Sequence, residues 1–431
     1  MSKVKTDEHK EIKRFQKYIN LCMRCGFCMG VCPTYREDLQ EGSVARGRIA
    51  LVKAVSKGDL EFNQELVEKI DKCTLCKSCT FVCPAHVDIP SVMMAARADK
   101  IRKTGIGFPF NIMYRNLLPR RRLFGSFVKI AGTIQKIFFP KADQGTLRHL
   151  PLFLSAFGKG RHIPQLAPRF FRQTIPVVNS PPPGIPTKFR VGYFTGCITD
   201  FMYPQMGHKI VNFLTRNGVE VIVPREQGCC GAPVYIGAGD FKTGRKIADS
   251  NVKAFSKLDY VIVDCATCGS SMKDYEKYLA DNEDRKKTFE DFCKRVIHIT
   301  AFLVDVLKLP DYAYKAVPEI KGKTVTWHDP CHLVRHMGVK DQPRKILKAI
   351  NDIEYVEMVE ADKCCGMAGA FSLHYYGLST KIADRKYASI LETKADIVTT
   401  SCPGCMIQLI DTMARHESNI KVMNIMELLE Q

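Results

Sequence analysis

The sequence predicts an α+β multidomain chain, in which a helical N-terminal domain is followed by two copies of an α/β domain with a parallel sheet. Its 431 residues are too many for one core and suit about two to four domains. The nineteen cysteines are unevenly placed, with eight in residues 1–104, none in 105–187 and eleven in the remainder. The cysteine pattern of the C-terminal part also occurs twice, which predicts domains at 188–318 and 319–431.

Cysteine motifs carry the internal repeat. Each copy contains a single cysteine, an adjacent Cys-Cys-Gly and a C-x2-C, in that order. Matching cysteines are 134, 135 or 137 residues apart, and the tetrapeptide KIAD recurs 135 residues apart, at 246–249 and 381–384. A shared offset across several features indicates duplication. The residues concerned are Cys197, Cys229, Cys230, Gly231, Cys265 and Cys268 in the first copy, and Cys331, Cys364, Cys365, Gly366, Cys402 and Cys405 in the second.

Short β-rich runs alternate with helical patterns in both copies. The first copy contains RVGYF, EVIV and DYVIVDC, and the second contains TVTWH, YVEMV and ADIVTTSC. Segments with apolar residues at helical spacing, such as HKIVNFLTRNG, lie between them. This alternation predicts βαβ units around a parallel sheet. The cysteines follow the strands directly, and the carboxyl edge of such a sheet is where ligands bind.

The N-terminal cysteines occur in two runs with the spacing C-x2-C-x2-C-x3-C-P. This is the pattern of two-cluster ferredoxins, in which the fourth cysteine of each run binds the other [4Fe–4S] cubane. Structural zinc is the alternative, but zinc sites usually take two C-x2-C pairs. The helical pattern of residues 43–58 between the runs predicts an α-helical ferredoxin domain over 1–104. The predicted ligands are Cys22, Cys25, Cys28 and Cys83 for one cluster, and Cys73, Cys76, Cys79 and Cys32 for the other.

Each copy of the repeat offers five cysteines, which is one more than a cubane needs. Adjacent thiolates can serve neighbouring irons, or one thiolate can bridge two irons. We expect Gly231 and Gly366 to let the backbone come close to a bulky cofactor. A disulfide between adjacent cysteines would be strained, and inert buried thiols would not be expected to repeat at matching positions. The pattern therefore predicts an iron–sulfur site in each copy.

With these motifs, the chain resembles the iron–sulfur proteins with paired CCG domains over nearly its whole length. This family includes the CCG-containing subunit of heterodisulfide reductase and the iron–sulfur subunits of glycolate and lactate dehydrogenases. The resemblance implies up to two noncubane [4Fe–4S] clusters, held by the five cysteines of each copy. Members of the dehydrogenase branch often lack part of the last C-x2-C. Both copies are complete here, which is closer to the reductase type.

The resemblance implies two functions. In the first, the chain relays electrons between a flavoprotein 2-hydroxy-acid dehydrogenase, or an electron-transfer flavoprotein subunit, and a quinone or another carrier. In the second, a CCG-bound cluster reduces a disulfide, and a membrane cytochrome is the partner. A binding module with purely structural metal sites is a third hypothesis. No G-x-G-x-x-G follows a strand, and GAGDFKTGRK has Arg245 where a P-loop needs lysine, so we expect a partner to hold any flavin.

The region 105–187 is predicted to be a basic helical connector that ends in the proline-rich linker NSPPPGIPTKF. Residues 100–175 contain fifteen Lys or Arg and one acid, Asp143. A basic amphipathic helix can lie on an anionic membrane surface or bind an acidic partner, while a solvated connector is the alternative. No motif supports nucleic-acid binding. The apolar positions of the predicted helix are Leu123, Phe127, Ile130, Ile134 and Ile137, and its basic positions are Arg122, Lys129 and Lys136.

Three further residues lie near or between the motifs. His328 and His332 flank Cys331, and we expect them to support the site rather than to bind metal. Cys293 lies in a helical pattern over 289–307 and is predicted to be a buried, unligated thiol.

The charged N-terminus lacks a signal peptide, and no apolar run is long enough for a membrane span. We therefore expect a cytoplasmic protein that can lie peripherally at the inner face of the membrane.

Overall fold

A computed structural model describes residues 9–138, 146–147 and 161–430. The predicted fold class is confirmed, since a helical N-terminal domain precedes two α/β domains with parallel strands. Among the described residues, no helix is both long and apolar enough to cross a bilayer.

The N-terminal domain is helical throughout its described part. The predicted helix around residues 43–58 is α4, which ends at Gly58 because that glycine adopts a left-handed φ of +83°. Ile49, Val52 and Val55 are buried on α4, which packs against α7. The α-helices are α1 (Lys10–Arg14), α2 (Gln16–Leu21), α3 (Tyr35–Asp38), α4 (Ala45–Lys57), α5 (Gln64–Asp71), α6 (Ser78–Phe81) and α7 (Ile89–Thr104).

The connector contains the predicted amphipathic helix, α9. Leu123, Phe127 and Ile130 are 51%, 56% and 62% exposed, so the described part of its apolar stripe faces solvent. The side chains of Arg122, Ile134, Lys136 and Ile137 lie outside the described residues, as does Asp143 altogether. The elements are α8 (Phe110–Ile112), a π-helical turn (Met113–Leu117), α9 (Arg121–Phe138), β1 (Thr146–Leu147), β2 (Ile163–Pro164) and α10 (Phe171–Thr174).

The first α/β domain has a five-stranded sheet in the order β3-β5-β4-β6-β7, in which all neighbours are parallel except β3 and β5. Its strands are β3 (Val178–Asn179), β4 (Phe189–Phe194), β5 (Val219–Ile222), β6 (Val261–Val263) and β7 (Val296–His298). Its helices are α11 (Cys197–Phe201), α12 (Pro204–Arg216), α13 (Phe241–Ala254), α14 (Ala266–Lys273), α15 (Tyr275–Leu279), α16 (Glu283–Arg295) and α17 (Ile299–Ala301), with π-helical segments at Ala232–Ala238 and Phe302–Val306.

Two features of this domain differ from the sequence-based expectation. Strand β3 lies within 105–187, which we assigned to the connector, because a two-residue strand shows no alternation in the sequence. The helical pattern over 289–307 is interrupted by β7, since Val296 and His298 are buried in the sheet beside β6. The exact domain boundaries stay a prediction.

The second α/β domain has a fully parallel sheet in the order β9-β8-β10-β11. Its strands are β8 (Thr324–Trp327), β9 (Glu354–Val356), β10 (Ile397–Thr400) and β11 (Lys421–Asn424). Its helices are α18 (Asp341–Ala349), α19 (Ala370–His374), α20 (Tyr376–Glu392) and α21 (Pro403–Arg415), with a π-helical segment at His332–His336 and 3-10 turns at Asp311–Ala313, Pro318–Ile320 and Ile425–Glu427.

The two sheets share one topology. The first sheet contains the parallel strands β5-β4-β6-β7, and the second sheet consists of β9-β8-β10-β11. If the four strands of each set are numbered 1 to 4 in chain order, both sets have the spatial order 2-1-3-4. The repeat seen in the cysteines is therefore a repeat of the fold as well.

The three domains pack around one continuous hydrophobic core. The buried Arg97 on α7 donates to the carbonyls of Cys73 (2.7 Å) and Ile236 (3.1 Å), and so links the helical domain to the first α/β domain. A Cβ on Gly239 would lie 2.5 Å from the backbone of Arg97, so this approach requires glycine. His336 Nε2 lies 3.1 Å from the carbonyl of Leu75 and links the helical domain to the second α/β domain.

Candidate iron–sulfur centres

Three adjacent strand ends bring the cysteines of each α/β domain together. In the first domain, β4 leads to Cys197, β5 to the pair Cys229-Cys230, and β6 to Cys265. Because β4 lies between β5 and β6, the three cysteine loops lie side by side at one sheet edge. In the second domain β8, β9 and β10 place the matching cysteines in the same way.

Each C-x2-C lies at the start of a helix. Cys265 is the N-cap of α14, and Cys402 is the N-cap of α21. The N-terminal end of a helix carries a partial positive charge, which favours the thiolate form of a cysteine there. Metal binding requires that form. At Cys265 the thiol of Cys268 also lowers the pKa, but the neighbouring Cys402 thiol and burial outweigh these effects and raise it, whereas the pKa of Cys402 is lowered.

All ten cysteines of the two repeats line a single cavity of about 760 Å³. The sequence predicts one site in each copy, and the structure places both sites in the walls of the same space. Cys73 of the helical domain and Arg97, Lys100 and Arg121 also line this cavity. The two sites therefore share one chamber with a sulfur-rich lining and several cationic side chains.

Nine of these thiols form a series in which each thiol lies close enough to the next to shift its pKa, and we call this series the thiol row. The neighbouring thiols of Cys265 in the first domain and Cys405 in the second hold the pKa of the Cys402 thiol well below its usual range. The hydroxyl of Thr267 in the first domain also lies 3.6 Å from Cys402 Sγ. The thiol row runs Cys229, Cys230, Cys268, Cys265, Cys402, Cys405, Cys365, Cys364 and Cys331.

Two further cysteines adjoin the ends of the thiol row. At one end, burial raises the pKa of Cys197, and the charge of the nearby Cys230 adds to this effect. The charge of Arg121 opposes the rise. At the other end, burial raises the pKa of Cys76, and the charge of Cys364 adds to this effect. Cys76 belongs to the helical domain, so the row reaches from the first α/β domain to the N-terminal cysteines.

Several N-terminal cysteines lie close to one another. Burial raises the pKa of Cys79 well above its usual range, and the nearby charges of Cys76, Cys73, Cys32 and Cys28 add to this effect. The first three of these neighbours and Cys79 form the ligand set predicted for one cubane, while Cys28 belongs to the other predicted set, and the division into two sets stays a prediction. In the other set, Cys25 is exposed to solvent, and Cys22, Cys28 and Cys83 are half-buried.

One group of side chains lies close enough together to hold a metal ion. Over the described ranges, the one trio of His, Cys, Asp or Glu side chains with donor atoms within 4.8 Å of one another is His328, Cys365 and Cys405. All three residues of this trio are buried, and all three belong to the second α/β domain.

Gly231 and Gly366 take the same conformation in the two domains. Their φ angles are +83° and +91°, and their N–H groups donate to Cys229 Sγ (3.3 Å) and Cys364 Sγ (3.4 Å). A Cβ on Gly366 would lie 2.5 Å from the carbonyl oxygen of Ser379. Glycine is thus required by the turn itself, while its predicted contact with a cofactor stays a prediction.

Several residues near the site were missed by the sequence-based prediction. Gly196 and Gly404 line the cavity, and a Cβ on Gly196 would lie 3.4 Å from Cys268 Sγ. Arg121, from the connector, is buried and pairs with Asp200 at 2.9 Å, and its charge offsets part of the rise in the pKa of Cys197 that burial causes. Lys386 is buried beside the second site, where its Nζ donates to the carbonyl of Glu360 at 2.6 Å. Of these residues, only the two glycines had a signal in the sequence, because Gly196 directly precedes a predicted ligand and Gly404 lies between two of them.

The remaining predicted residues have separate environments. Nδ1 of His332 lies 2.7 Å from the hydroxyl of Ser270, so this histidine of the second α/β domain contacts the first α/β domain. Cys293 lies on α16 and is half-buried; its Sγ donates to the carbonyl of Met272 at 3.1 Å, and burial raises its pKa to about 11. His328 is fully buried next to Cys365 and Cys405.

Two family models match the chain. The model described as a 4Fe-4S dicluster domain matches residues 18–87, and the model described as the cysteine-rich domain CCG matches residues 191–273 and 325–410. A probable glycolate oxidase iron–sulfur subunit from Bacillus subtilis is 31% identical over 404 residues, which is 90% of this chain and 87% of the relative.

The chain belongs to the family of iron–sulfur proteins with paired CCG domains.

Two further relatives are similar over different parts of the chain. A subunit of the fumarate reductase (CoM/CoB) of Methanothermobacter marburgensis is 26% identical, over 100% of this chain and 75% of the relative. A lactate utilization protein of Oceanobacillus iheyensis is 32% identical, over 56% of this chain and 96% of the relative.

As a CCG-family protein, the chain has two [4Fe–4S] cubanes in its dicluster domain and noncubane clusters in its CCG domains. The residues present fit these groups, because the thiols needed as soft ligands for iron are free and clustered. We refer to the predicted sets as the first ferredoxin centre (Cys22, Cys25, Cys28, Cys83), the second ferredoxin centre (Cys73, Cys76, Cys79, Cys32), the first CCG centre (Cys197, Cys229, Cys230, Cys265, Cys268) and the second CCG centre (Cys331, Cys364, Cys365, Cys402, Cys405).

Proposed function

We propose that this chain is the iron–sulfur electron-transfer subunit of an oxidoreductase complex. Its partner is a flavin-dependent dehydrogenase of a 2-hydroxy acid such as glycolate or lactate, or an electron-transfer flavoprotein subunit, and its acceptor is a quinone or another carrier. The observation that carries this proposal is the thiol row, which joins both CCG centres and ends beside Cys76 of the second ferredoxin centre. The similarity to a probable glycolate oxidase iron–sulfur subunit over 90% of the chain supports the substrate class.

The order of the sites also suits electron transfer with an external partner. The first ferredoxin centre contains the exposed Cys25, and Met23 and Phe27 beside it are each 66% exposed. Exposed apolar side chains around a redox site are typical of a docking surface. We propose that the redox partner docks here, while the second ferredoxin centre connects to the CCG centres inside the molecule.

A second function is favoured by the shared cavity. All ten cysteines of the two CCG centres line this one cavity, so a substrate that enters it would lie directly beside the clusters that these cysteines are proposed to hold. In this alternative, a disulfide substrate enters the cavity and is reduced there, and a membrane cytochrome supplies the electrons. The similarity to a fumarate reductase (CoM/CoB) subunit over the whole chain supports this alternative.

Purification from the native organism distinguishes the two functions. The tagged full chain is isolated anaerobically with its partners, and its clusters are monitored by EPR after addition of glycolate, lactate or a thiol. A co-purifying flavoprotein and cluster reduction by a 2-hydroxy acid are expected. A complex without flavin, which contains haem b and changes its EPR signal only with thiols, would instead establish the disulfide chemistry.

We also propose that the complex works in the cytoplasm, at the inner face of the membrane. Free thiols in such number suit a reducing compartment. The exposed apolar side chains of Leu123, Phe127 and Ile130 lie on α9, in a region with a surplus of fourteen basic residues over acidic ones between 100 and 175. Apolar insertion combined with attraction to anionic lipids is the mode of binding of an interfacial helix.

A further inference from the structure

His328 occupies a defined and fully enclosed position at the end of strand β8. Its side chain has no solvent exposure, and its backbone N–H donates to the carbonyl of Thr399 on β10 at 2.9 Å. One ring nitrogen lies within 4.8 Å of both Cys365 Sγ and Cys405 Sγ. The imidazole therefore faces two predicted ligands that come from different loops of the second CCG centre.

Neither ring nitrogen of His328 has a hydrogen-bond partner among the residues that the structure describes. An unsatisfied buried polar group costs about 1–3 kcal/mol, so such groups usually have a partner in the functional state of a protein. The sulfurs of Cys365 and Cys405 lie within 4.8 Å of one of these ring nitrogens. A sulfur of the bound cluster or of its thiolate ligands would satisfy the imidazole.

The duplicated fold provides an internal comparison. His328 lies three residues before Cys331, and Phe194 lies three residues before Cys197, at the end of β4. Phe194 is equally buried, with 1% exposure, and its ring lies 6.1 Å from that of Phe255. The same position in the fold therefore holds an apolar ring in the first domain and a hydrogen-bonding ring in the second.

From this contrast we infer that His328 donates an imidazole N–H to a sulfur of the second CCG centre, and that this bond raises the reduction potential of that centre. Hydrogen bonds to the sulfurs of an iron–sulfur cluster stabilise its more negative, reduced form and raise its reduction potential. Phe194 can offer no such bond. His328 is thus a positioning and tuning residue, and its role rests on the proposed ligands of the second CCG centre.

The test is a potentiometric titration followed by EPR, made on the full chain and on His328→Phe, which copies the first domain. The midpoint potential of the second CCG centre, identified by its loss in Cys402→Ser, is expected to shift to a lower value in His328→Phe. The iron and sulfide contents and the potentials of both ferredoxin centres are expected to stay unchanged. His328→Gln, which keeps an N–H donor, should recover part of the shift, and Phe194→His should raise the potential of the first CCG centre.

The outcomes separate this inference from the proposed function. If the wild type carries the second CCG centre and His328→Phe leaves its potential unchanged, the inference is wrong while the electron-transfer function stands. Loss of iron from His328→Phe, or a strong coupling from a directly bound nitrogen in ¹⁵N-histidine-labelled protein, would overturn the donor role in favour of ligation. A wild type without iron and sulfide in its CCG domains would instead refute the proposed function.

Discussion

The predicted ligand Cys402 and the predicted unligated Cys293 differ in their immediate neighbours. Cys402 has the thiols of Cys265 and Cys405 beside it and lies at a helix N-terminus, where a thiolate is stabilised. Cys293 is half-buried and donates to a backbone carbonyl instead, and burial raises its pKa to about 11. The first environment suits metal binding better than the second.

Substitution of Cys402 should therefore lower the metal content of the chain, whereas substitution of Cys293 should not. Cys402→Ser is expected to lose the cluster of the second CCG centre, which is about four irons and four sulfides per chain. Cys293→Ser should retain the wild-type content, because the serine hydroxyl can still donate to the carbonyl of Met272. Iron and acid-labile sulfide analysis measures both; equal losses in the two variants would contradict the assignment.

Gly366 should be far less tolerant of a side chain than a glycine with the same backbone conformation in open space. In Gly366→Ala the left-handed φ costs about 1–2 kcal/mol, and the Cβ would also meet Ser379 O at 2.5 Å. Gly322 has a φ of +72° with no atom near its Cβ position, so Gly322→Ala carries only the conformational cost. The thermal unfolding midpoint should fall more in Gly366→Ala, and equal falls would show that the contact is unimportant.

At the level of single residues, the sequence predicted features that depend on neighbours in the chain and missed contacts between residues far apart in sequence. The candidate cysteine ligands could be proposed because their spacing and duplication are visible in the chain. Arg121 could not be assigned, because its partner Asp200 is distant in sequence and only the fold brings them together. Cys265 and Cys402 could be recognised as equivalent, but not as neighbours.

Among the elements, helix α9 has a clear physical signature, since the described part of its apolar stripe, Leu123, Phe127 and Ile130, faces solvent in a strongly basic region. We expect the full chain to co-sediment with vesicles that contain anionic lipid, and to do so less as salt is raised. Phe127→Glu combined with Ile130→Glu should lower the bound fraction severalfold. Val359→Glu, at a residue 65% exposed on the second CCG domain, is the matched control. Equal binding to neutral vesicles, or no effect of the double change, would argue against a membrane role.

The contact between helices α1 and α7 should depend on pH. Asp99 on α7 accepts the backbone N–H of Ile12 at 2.9 Å and of Glu11 at 3.2 Å, and burial raises the pKa of Asp99 to about 6. An unfolded aspartate titrates near pH 3.9, so between these values the folded state holds the proton more tightly. The contribution of Asp99 to stability therefore falls as pH rises through this window.

Asp99→Asn removes this titration. The free energy of unfolding of the variant, relative to wild type, should rise by about 1 kcal/mol between pH 5 and pH 7. Denaturant unfolding under anaerobic conditions measures this difference, with the exposed Asp59→Asn as the control. Parallel stability profiles for Asp99→Asn and wild type would contradict the assigned cause.

The elements themselves were predicted well where they are long or periodic. Helix α4 and the cysteine-bearing strands lie where the apolar patterns placed them. Strands β3 and β7 were missed because two or three residues are too few to show alternation, and because β7 pairs within a stretch of helical periodicity. Short strands of this kind are defined by their sheet neighbours rather than by their own residues.

For the whole molecule, the order of domains was visible in the sequence, but their arrangement was not. Closing the two CCG domains on each other places their ten cysteines in one cavity, and docking of the helical domain brings Cys76 to the end of the thiol row. The contacts responsible, such as that of Arg97 with Ile236, join residues far apart in the chain. Electron transfer between the centres therefore depends on how the three domains pack together.

The most direct test of the four-centre assignment is the content of iron and acid-labile sulfide in the anaerobically purified full chain, combined with EPR. Two cubanes and two noncubane clusters predict about sixteen irons and sixteen sulfides per chain, together with signals from two kinds of cluster. A chain that contains zinc without sulfide, or only the roughly eight irons of its ferredoxin centres after complete reconstitution, would contradict it.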